Sequence, residues 1–279
     1  ADALFMSQPA VTFQIKQLEE FYSSRLFERR HGSISLTPAG ELVLSYAEKI
    51  MALSDEMETR LAEMSGEMRG ELLIGASAGI AEFMLPPILG EFNALYPQVR
   101  ARLIVANSDN IENRVAEPTL DVGLIETPSK RPGLDSEVCR ADELVVICAP
   151  DYPLAGATEI TPKALVDYEY ISREPGSGTR NLTESYFLKH KVPPDSLKIQ
   201  MELGSPEALK GVVATGLGFA IMARVAVERE LESGQLLAIS LKPKLKRNVH
   251  LIYQQDRFRS RLADTFIKFV KIKLREIAV

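Results

Sequence analysis

Three short loops rich in serine, threonine, asparagine and glycine carry the residue types in this sequence that could best bind a ligand. They are 75–79 (Gly-Ala-Ser-Ala-Gly), 107–109 (Asn-Ser-Asp) and 173–180 (Arg-Glu-Pro-Gly-Ser-Gly-Thr-Arg), and each directly follows a predicted strand. In an open α/β sheet, ligands gather outside the carboxyl ends of the strands, where helix N-termini offer free N–H groups to anions. Each loop taken singly is explained as an ordinary turn, but three loops placed alike favour a pocket for a small polar or anionic ligand.

The flanking arginines leave the charge of that ligand open. Hydroxyl and amide donors suit sulfate, phosphate esters and carboxylates almost equally, because each oxyanion needs similar donors. Arg173 and Arg180 either favour a more highly charged ligand or pair with Glu174 and Glu184. The sequence is compatible with both alternatives.

Enzyme chemistry finds little support in the sequence. Its three histidines, at 31, 190 and 250, form no HExxH pair, and the chain has no Walker A motif and no GxGxxG after a strand. Cys139 and Cys148 lack the spacing of a structural metal site and are interpreted as reduced core thiols. We therefore expect no catalytic residues, no metal and no cofactor.

Composition bounds the function further. The chain has 279 residues, 46% of them hydrophobic, and a net charge of −5, so any nucleic-acid binding must depend on a local basic patch. No secretion signal or membrane-length apolar run is present, which predicts a cytoplasmic protein without membrane contact. The chain opens Ala1-Asp2-Ala3-Leu4 without an initiator methionine, so we expect that a segment precedes it.

Alternating strands and helices should position the three loops. Apolar strand-like runs at 72–76, 99–106, 121–125, 144–149, 168–172, 197–202, 219–222 and 249–253 are separated by helical patterns, and an amphipathic helix starts near 259. This alternation is the signature of a parallel α/β sheet. We expect two α/β lobes with a cleft between them: lobe one from about 70–147 plus 250–279, and lobe two from about 148–249.

A helix with a polar face is predicted at 8–20, in the stretch SQPAVTFQIKQLE. Ser7 suits the N-cap, Pro9 suits the first turn, and an apolar stripe recurs at Val11, Ile15 and Leu18. The remaining polar face is either solvated surface or a surface that bonds base edges and phosphates in a major groove. Its residues are Gln8, Thr12, Gln14 and Lys16.

The segment at 25–40 resembles a β-wing. It begins with basic residues, turns at Gly32 and ends in an alternating strand-like tail. Arg29 and Arg30 either reach DNA phosphates beside a helix in the groove or are simple surface charges.

A long helix is predicted from Glu41 to about Met68. Its apolar residues follow the 4-and-3 spacing of a coiled-coil seam, and the helix, at about 40 Å long, would overhang a compact domain. Packing on the chain's own body is the alternative, but dimerisation is favoured. The seam residues are Leu42, Tyr46, Ile50, Leu53, Met57, Leu61, Met64 and Met68.

The order of these parts resembles the LysR-type transcriptional regulators across the whole chain. The matching residues lie in 7–12, at Ile15, in 18–19, in 26–29 and in 36–40. The resemblance implies an α/β fold class with a truncated winged helix-turn-helix at 1–40, a dimerisation helix at 41–69, and a two-lobed effector domain at 70–279 similar to periplasmic binding proteins. The loop at 173–180 is similar to the branch that regulates sulfur assimilation or carbon fixation.

Carried over by position, the resemblance assigns residues to three surfaces. It implies that the chain binds double-stranded promoter DNA and a small anionic or polar effector, forms dimers or tetramers, and has RNA polymerase as a candidate further partner. The DNA-binding residues are Ser7, Gln8, Pro9, Thr12, Gln14, Lys16, Arg29, Arg30 and His31. The effector-binding residues are Ser77, Ala78, Asn107, Ser108, Ser177, Gly178 and Thr179.

One departure from the family concerns the start of the chain. In the family, one helix and most of a second precede the equivalent of Ser7, so a protein that starts at Ala1 is expected to bind its operator weakly while still dimerising and binding effector. A stand-alone solute-binding protein is the alternative function. It would explain the cleft but not the seam or the wing.

Overall fold

The computed structural model describes residues 6–30, 33–64, 68–117, 119–255 and 259–277. The chain divides into two compact units, 1–65 and 66–279. Each unit is described by itself. The boundaries predicted after residue 40, where the dimerisation helix begins, and after residue 69, where the effector domain begins, stay predictions.

The N-terminal unit contains the predicted helix, wing and long helix. Its elements are α1 (Gln8–Phe21), β1 (Phe27–Arg30), β2 (Ser33–Leu36) and α2 (Pro38–Met64), and β1 and β2 form an antiparallel hairpin. Helix α2 begins at Pro38, three residues before the predicted start, because Pro38 suits a first turn and the Thr37 hydroxyl accepts a hydrogen bond from the Gly40 N–H at 3.0 Å. It is described as far as Met64.

Two side chains and a glycine tie α1, the wing and α2 together within this unit. Glu19 accepts hydrogen bonds from the backbone N–H groups of Leu26 and Phe27, at 2.7 and 3.2 Å. Thr37 donates to the Arg25 carbonyl at 2.6 Å. A Cβ on Gly40 would lie 2.0 Å from the Leu26 carbonyl oxygen, so only glycine allows α2 to approach the wing this closely. These contacts explain the residue types at 19, 26, 37 and 40.

The C-terminal unit contains the alternating strands and helices. Its elements are β3 (Gly70–Ser77), α3 (Ala78–Phe83), α4 (Leu85–Leu95), β4 (Val99–Ala106), α5 (Ser108–Ala116), β5 (Val122–Ile125), β6 (Leu134–Cys148), β7 (Glu159–Ile160), α6 (Pro162–Leu165), β8 (Glu169–Arg173), α7 (Gly178–Lys189), β9 (Lys198–Leu203), α8 (Pro206–Ala214), β10 (Ala220–Ala223), α9 (Glu228–Glu232), β11 (Leu237–Gln254) and α10 (Arg261–Glu276).

The main sheet is mixed, which corrects the prediction of a parallel sheet. Its seven strands run in the order β10-β6-β11-β5-β3-β4, with β7 beside β11. The parallel pairs are β3 with β4, β3 with β5, and β7 with β11, and the other pairs are antiparallel. A separate parallel pair is formed by β8 and β9. The predicted strands at 144–149 and 249–253 are parts of the long antiparallel strands β6 and β11, where charged residues among the others obscure the strand pattern.

Two large hydrophobic cores divide this unit into lobes. The core of lobe one includes Phe92 and Phe266, with a smaller cluster around Ile111 beside it, and the core of lobe two includes Phe187 and Phe219. Strands β6 and β11 contribute to the cores of both lobes, and their register shifts between Ser240 and Leu245 and again between Val249 and His250. The exact lobe boundaries predicted near 147 and 249 therefore stay a proposal.

Both cysteines are buried thiols with no disulfide between them, as expected. Burial raises the pKa of the Cys148 thiol to about 11 and also raises the pKa of Cys139. Within the described parts of the chain, no group of metal-ligating side chains is gathered, and no helix is long and apolar enough to cross a membrane.

Candidate functional site

The three loops predicted to bind a ligand follow the carboxyl ends of parallel strands. Because β3, β4 and β5 pair in parallel, their carboxyl ends meet at one edge of lobe one, where Ser77 ends β3 and Asn107 and Glu126 follow β4 and β5. In lobe two, β8 ends at Arg173 and its loop leads into α7. The next contacts bring the two edges together.

Asn107 joins two of the predicted loops. Its Oδ1 atom accepts a hydrogen bond from the Asn110 N–H at 2.9 Å and caps α5, while its Nδ2 atom donates to the Pro175 carbonyl at 3.2 Å. Gly176 has a φ of +80°, and a Cβ on it would lie 2.7 Å from Asn107 Nδ2. The loop at 173–180 therefore lies directly against the loop at 107–109.

Ser108 and Gly178 approach each other closely where the two lobes meet. A Cβ on Gly178 would lie 2.6 Å from Ser108 Oγ and 2.8 Å from the Glu126 Cβ, so glycine at 178 is required by space. Ser177 caps α7 next to this contact, and its Oγ atom accepts a hydrogen bond from the Arg180 N–H at 3.5 Å. Six of the seven predicted effector-binding residues thus lie at this contact between the lobes, called the cleft below, or at the strand ends beside it: Ser77, Asn107, Ser108, Ser177, Gly178 and Thr179. Ala78 begins α3 next to Ser77.

Two hydroxyl groups in this cleft have no hydrogen-bond partner among the described residues. The Oγ atoms of Ser77 and Ser108 are inaccessible to solvent, and the residues are only 4% and 2% exposed. Buried polar groups are almost always hydrogen-bonded, and an unsatisfied one costs about 1–3 kcal/mol. Both hydroxyls are therefore suited to an oxygen-bearing ligand.

Glu126 is a residue of the cleft that sequence reasoning missed. Its Oε2 atom accepts a hydrogen bond from the Thr179 hydroxyl at 2.8 Å, and its Oε1 atom accepts one from Arg247 Nη1 at 2.5 Å. Arg247 also pairs with Asp142, its cross-strand neighbour, at 3.0 Å. Its position directly after an apolar strand is the one sequence feature that places Glu126 beside the predicted loops, which were identified by hydroxyl and amide residues.

Arg173 and Arg180 are occupied by acidic partners, which decides between the two alternatives left open. Arg173 pairs with Glu174 at 2.8 Å and also donates to the Leu203 carbonyl. Arg180 pairs with Glu184 at 2.7 Å and with Glu202. Both guanidinium groups therefore bind glutamates of the chain itself, which favours the second alternative.

Helix α1 presents three of the four polar candidates on one face. At 3.6 residues per turn, Gln8, Thr12 and Lys16 lie in one row, whereas Gln14 lies on the other side of the apolar stripe. The DNA contact predicted for all four residues stays a prediction. All four are exposed, and the Thr12 hydroxyl donates back to the Gln8 carbonyl at 3.0 Å.

The remaining DNA-binding candidates are only partly placed. Ser7 lies at the N-cap of α1, next to Pro9 in the first turn, but its side chain makes no capping hydrogen bond with the described residues, contrary to expectation. Arg29 and Arg30 lie in β1, although only their backbone is described, and His31 lies outside the described residues.

The predicted seam forms an apolar row on α2. Leu42, Tyr46, Ile50, Leu53 and Met57 are each more than half exposed. Leu61 and Met64 continue the row in the helix, but their side chains fall outside the described part of the chain. Met68, predicted as the last seam residue, lies after the described helix and packs, partly buried, against the core of lobe one. Such a row is typical of a helix that packs on a partner helix.

Comparison with known proteins identifies the class of protein. Residues 1–41 match the bacterial regulatory helix-turn-helix protein of the lysR family, and residues 65–275 match the LysR substrate binding domain. The chain belongs to the LysR family of DNA-binding transcription regulators. A stand-alone solute-binding protein is thereby excluded, and the chain is not an enzyme.

Relatives of this chain are described as RuBisCO transcriptional regulators. It is 33% identical over 270 residues to a probable RuBisCO transcriptional regulator of Cyanidioschyzon merolae, covering 95% of this chain and 89% of the relative. It is similar to the regulatory domain of Synechocystis CcmR in complex with 2-PG, with 28% identity and a TM-score of 0.69 over 76% of this chain and all of that domain. An H2O2-bound OxyR mutant from Corynebacterium glutamicum shares the fold over 99% of this chain and 87% of its own, with a TM-score of 0.70 at 21% identity.

Proposed function

We propose that this regulator senses a small anionic, oxygen-rich metabolite in the cleft between its lobes, and that a phosphorylated two-carbon acid is the first candidate. The observation that carries the proposal is the pair of buried, unpartnered hydroxyls at Ser77 and Ser108. The similarity to a regulatory domain that binds 2-phosphoglycolate supports the chemical class.

Uncharged donors would hold the anion. Arg173 and Arg180 pair with glutamates, so binding would depend on the hydroxyls of Ser77 and Ser108 and on the N-terminal N–H groups of α5 and α7. Helix N-termini carry a partial positive charge, and their first N–H groups lack partners within the helix. This arrangement supports an anion without an arginine clamp.

The test is isothermal titration of this chain with 2-phosphoglycolate, with glycolate and inorganic phosphate as its two fragments. Ser108→Ala should weaken the binding of 2-phosphoglycolate at least fivefold, because it removes a buried donor. Ser185→Ala is the matched control, since Ser185 is exposed on the same helix as Gly178 and bonds only the Asn181 carbonyl. Equal affinities for the two variants, or no binding to the unsubstituted chain, would reject the proposal.

We further propose that the chain acts in the cytoplasm as a dimer or tetramer on promoter DNA, with RNA polymerase as a further partner. The exposed apolar row on α2 supports pairing between two copies, and the row of Gln8, Thr12 and Lys16 supports contact with a major groove. Genomic DNA fragments captured by the protein would be sequenced. A dyad-symmetric site beside a few operons supports the proposal, and fragments without a common sequence reject it.

A further inference from the structure

The Glu126 carboxylate already occupies the start of helix α7. A Cβ on Gly178, the first residue of α7, would lie 2.9 Å from Glu126 Oε2, and the Thr179 hydroxyl donates to the same oxygen at 2.8 Å. The side chain is only 2% exposed. An internal carboxylate therefore takes the position that the helix N-terminus would offer to an external anion.

This carboxylate also links the two lobes. Glu126 follows β5, which lies in the core of lobe one, and Thr179 lies in the first turn of α7, whose Phe187 is in the core of lobe two. The hydrogen bond between them is fully buried. A ligand that takes over Thr179 must therefore displace Glu126 and change a direct contact between the lobes.

The charge around Glu126 is unfavourable to anions. Glu126 and Asp142 share the one guanidinium of Arg247, and the three side chains are 2%, 4% and 1% exposed, so the buried group carries one excess negative charge when all are ionised. Ser108 Oγ lies close by, since it and Glu126 Oε2 both lie within 3 Å of the Cβ position on Gly178. In a water-excluded site this charge opposes anions far more strongly than it would in water.

We propose that Glu126 is an intramolecular competitor of the effector and sets which anions the cleft accepts. The inference rests on the proposed function, because it assumes an anionic effector in this cleft. The effector presents acceptor oxygens to Ser77 and Ser108 and replaces the Glu126 carboxylate at Thr179. The penalty that Glu126 imposes grows with the negative charge of the effector, so the residue acts as a charge filter.

The decisive variant is Glu126→Gln, which keeps the size of the side chain and an oxygen for Thr179 but removes the charge. Titrations at fixed pH and ionic strength would use glycolate, inorganic phosphate and 2-phosphoglycolate as probes. We expect at least tenfold tighter binding of 2-phosphoglycolate to the variant and less than threefold change for glycolate. Glu202→Gln is the control, since it removes one charge from an exposed partner of Arg180 in lobe two and should leave the affinities unchanged.

Asp142→Asn provides a second variant should Glu126→Gln fail to fold. It removes the excess charge from the other side of Arg247 without touching the cleft contacts, and we expect 2-phosphoglycolate to bind several-fold tighter. Binding to the unsubstituted chain with no gain in either variant overturns the competitor role and leaves the proposed function standing. No binding of any probe to any form rejects the anionic effector itself, and the inference with it.

Discussion

Asn107 donates from Nδ2 to the carbonyl oxygen of Pro175 at 3.2 Å, and so one side chain of lobe one holds a loop of lobe two that lies 68 residues further along the chain. The same side chain caps α5 through Oδ1. The stability of α5 and the contact between the lobes thus both depend on the amide of Asn107, so a substitution there should affect both.

Asn107→Ala should reduce both stability and effector affinity. Loss of the cap costs about 1 kcal/mol of unfolding free energy, measured by urea denaturation. Loss of the bond to Pro175 should lower the affinity for 2-phosphoglycolate several-fold in titration calorimetry. Ser205→Ala is the matched control. Ser205 caps α8 in the same way, but among the described residues its side chain makes no hydrogen bond to the cleft loops. An equal loss of affinity in both variants would contradict the bridging role of Asn107.

Gly178→Ala and Gly211→Ala should change stability in opposite directions. Alanine favours helices over glycine by about 1 kcal/mol, and a Cβ on Gly211, in the exposed part of α8, meets nothing within 4 Å, so this variant should be more stable. At Gly178 the Cβ would collide with Ser108 Oγ and Glu126, so the variant should be less stable and bind effector more weakly. Urea denaturation of both variants provides the measurement. A stabilised Gly178→Ala would show that the lobes do not approach there.

Met57→Lys should split the dimer, whereas Met51→Lys should not. Both methionines are exposed on α2, at 55% and 67%, but Met57 belongs to the apolar row and Met51 lies on the opposite side of the helix. A lysine in the row brings two ammonium groups together in an apolar seam, which is strongly unfavourable. Sedimentation velocity at several protein concentrations measures the oligomer. An unchanged oligomer for Met57→Lys, or loss of the oligomer for both variants, would reject the seam.

The two cysteines should be unreactive in the folded protein. Burial raises the pKa of Cys148 to about 11 and raises that of Cys139, so the thiolate fraction at pH 8 is very small and neither sulfur is accessible. The thiolate fraction of each cysteine should rise only as the pH approaches its raised pKa. Alkylation by iodoacetamide at pH 8, followed by mass spectrometry, should label both residues only after urea is added. Rapid labelling of the native protein would contradict the burial.

The sequence predicted those parts of the fold that have a clear periodicity. Helices α1 and α2, the wing, and the strands around Ile74 and Leu124 follow from apolar spacing and turn residues. Strand β6 was found only in its last third, because Glu137, Arg140 and Asp142 alternate within it and serve tertiary ion pairs and hydrogen bonds. Such partners are distant in sequence and leave no local pattern.

Prediction of the site was limited in the same way. Ser108 and Gly178 lie in loops whose composition marked them, and the structure brings them together. Glu126 gave no such mark, because a glutamate after a strand is usually solvated and its burial depends on Arg247, which is 121 residues away.

The paired strands β6 and β11 run through both lobes and supply residues to both cores. The lobes are therefore not independent folding units, because unfolding one core would disrupt the strand pair on which the other core is built. Residues 66–279 should accordingly denature in a single all-or-none transition. Movement between the lobes should consist of twisting of this strand pair rather than rotation about a flexible hinge.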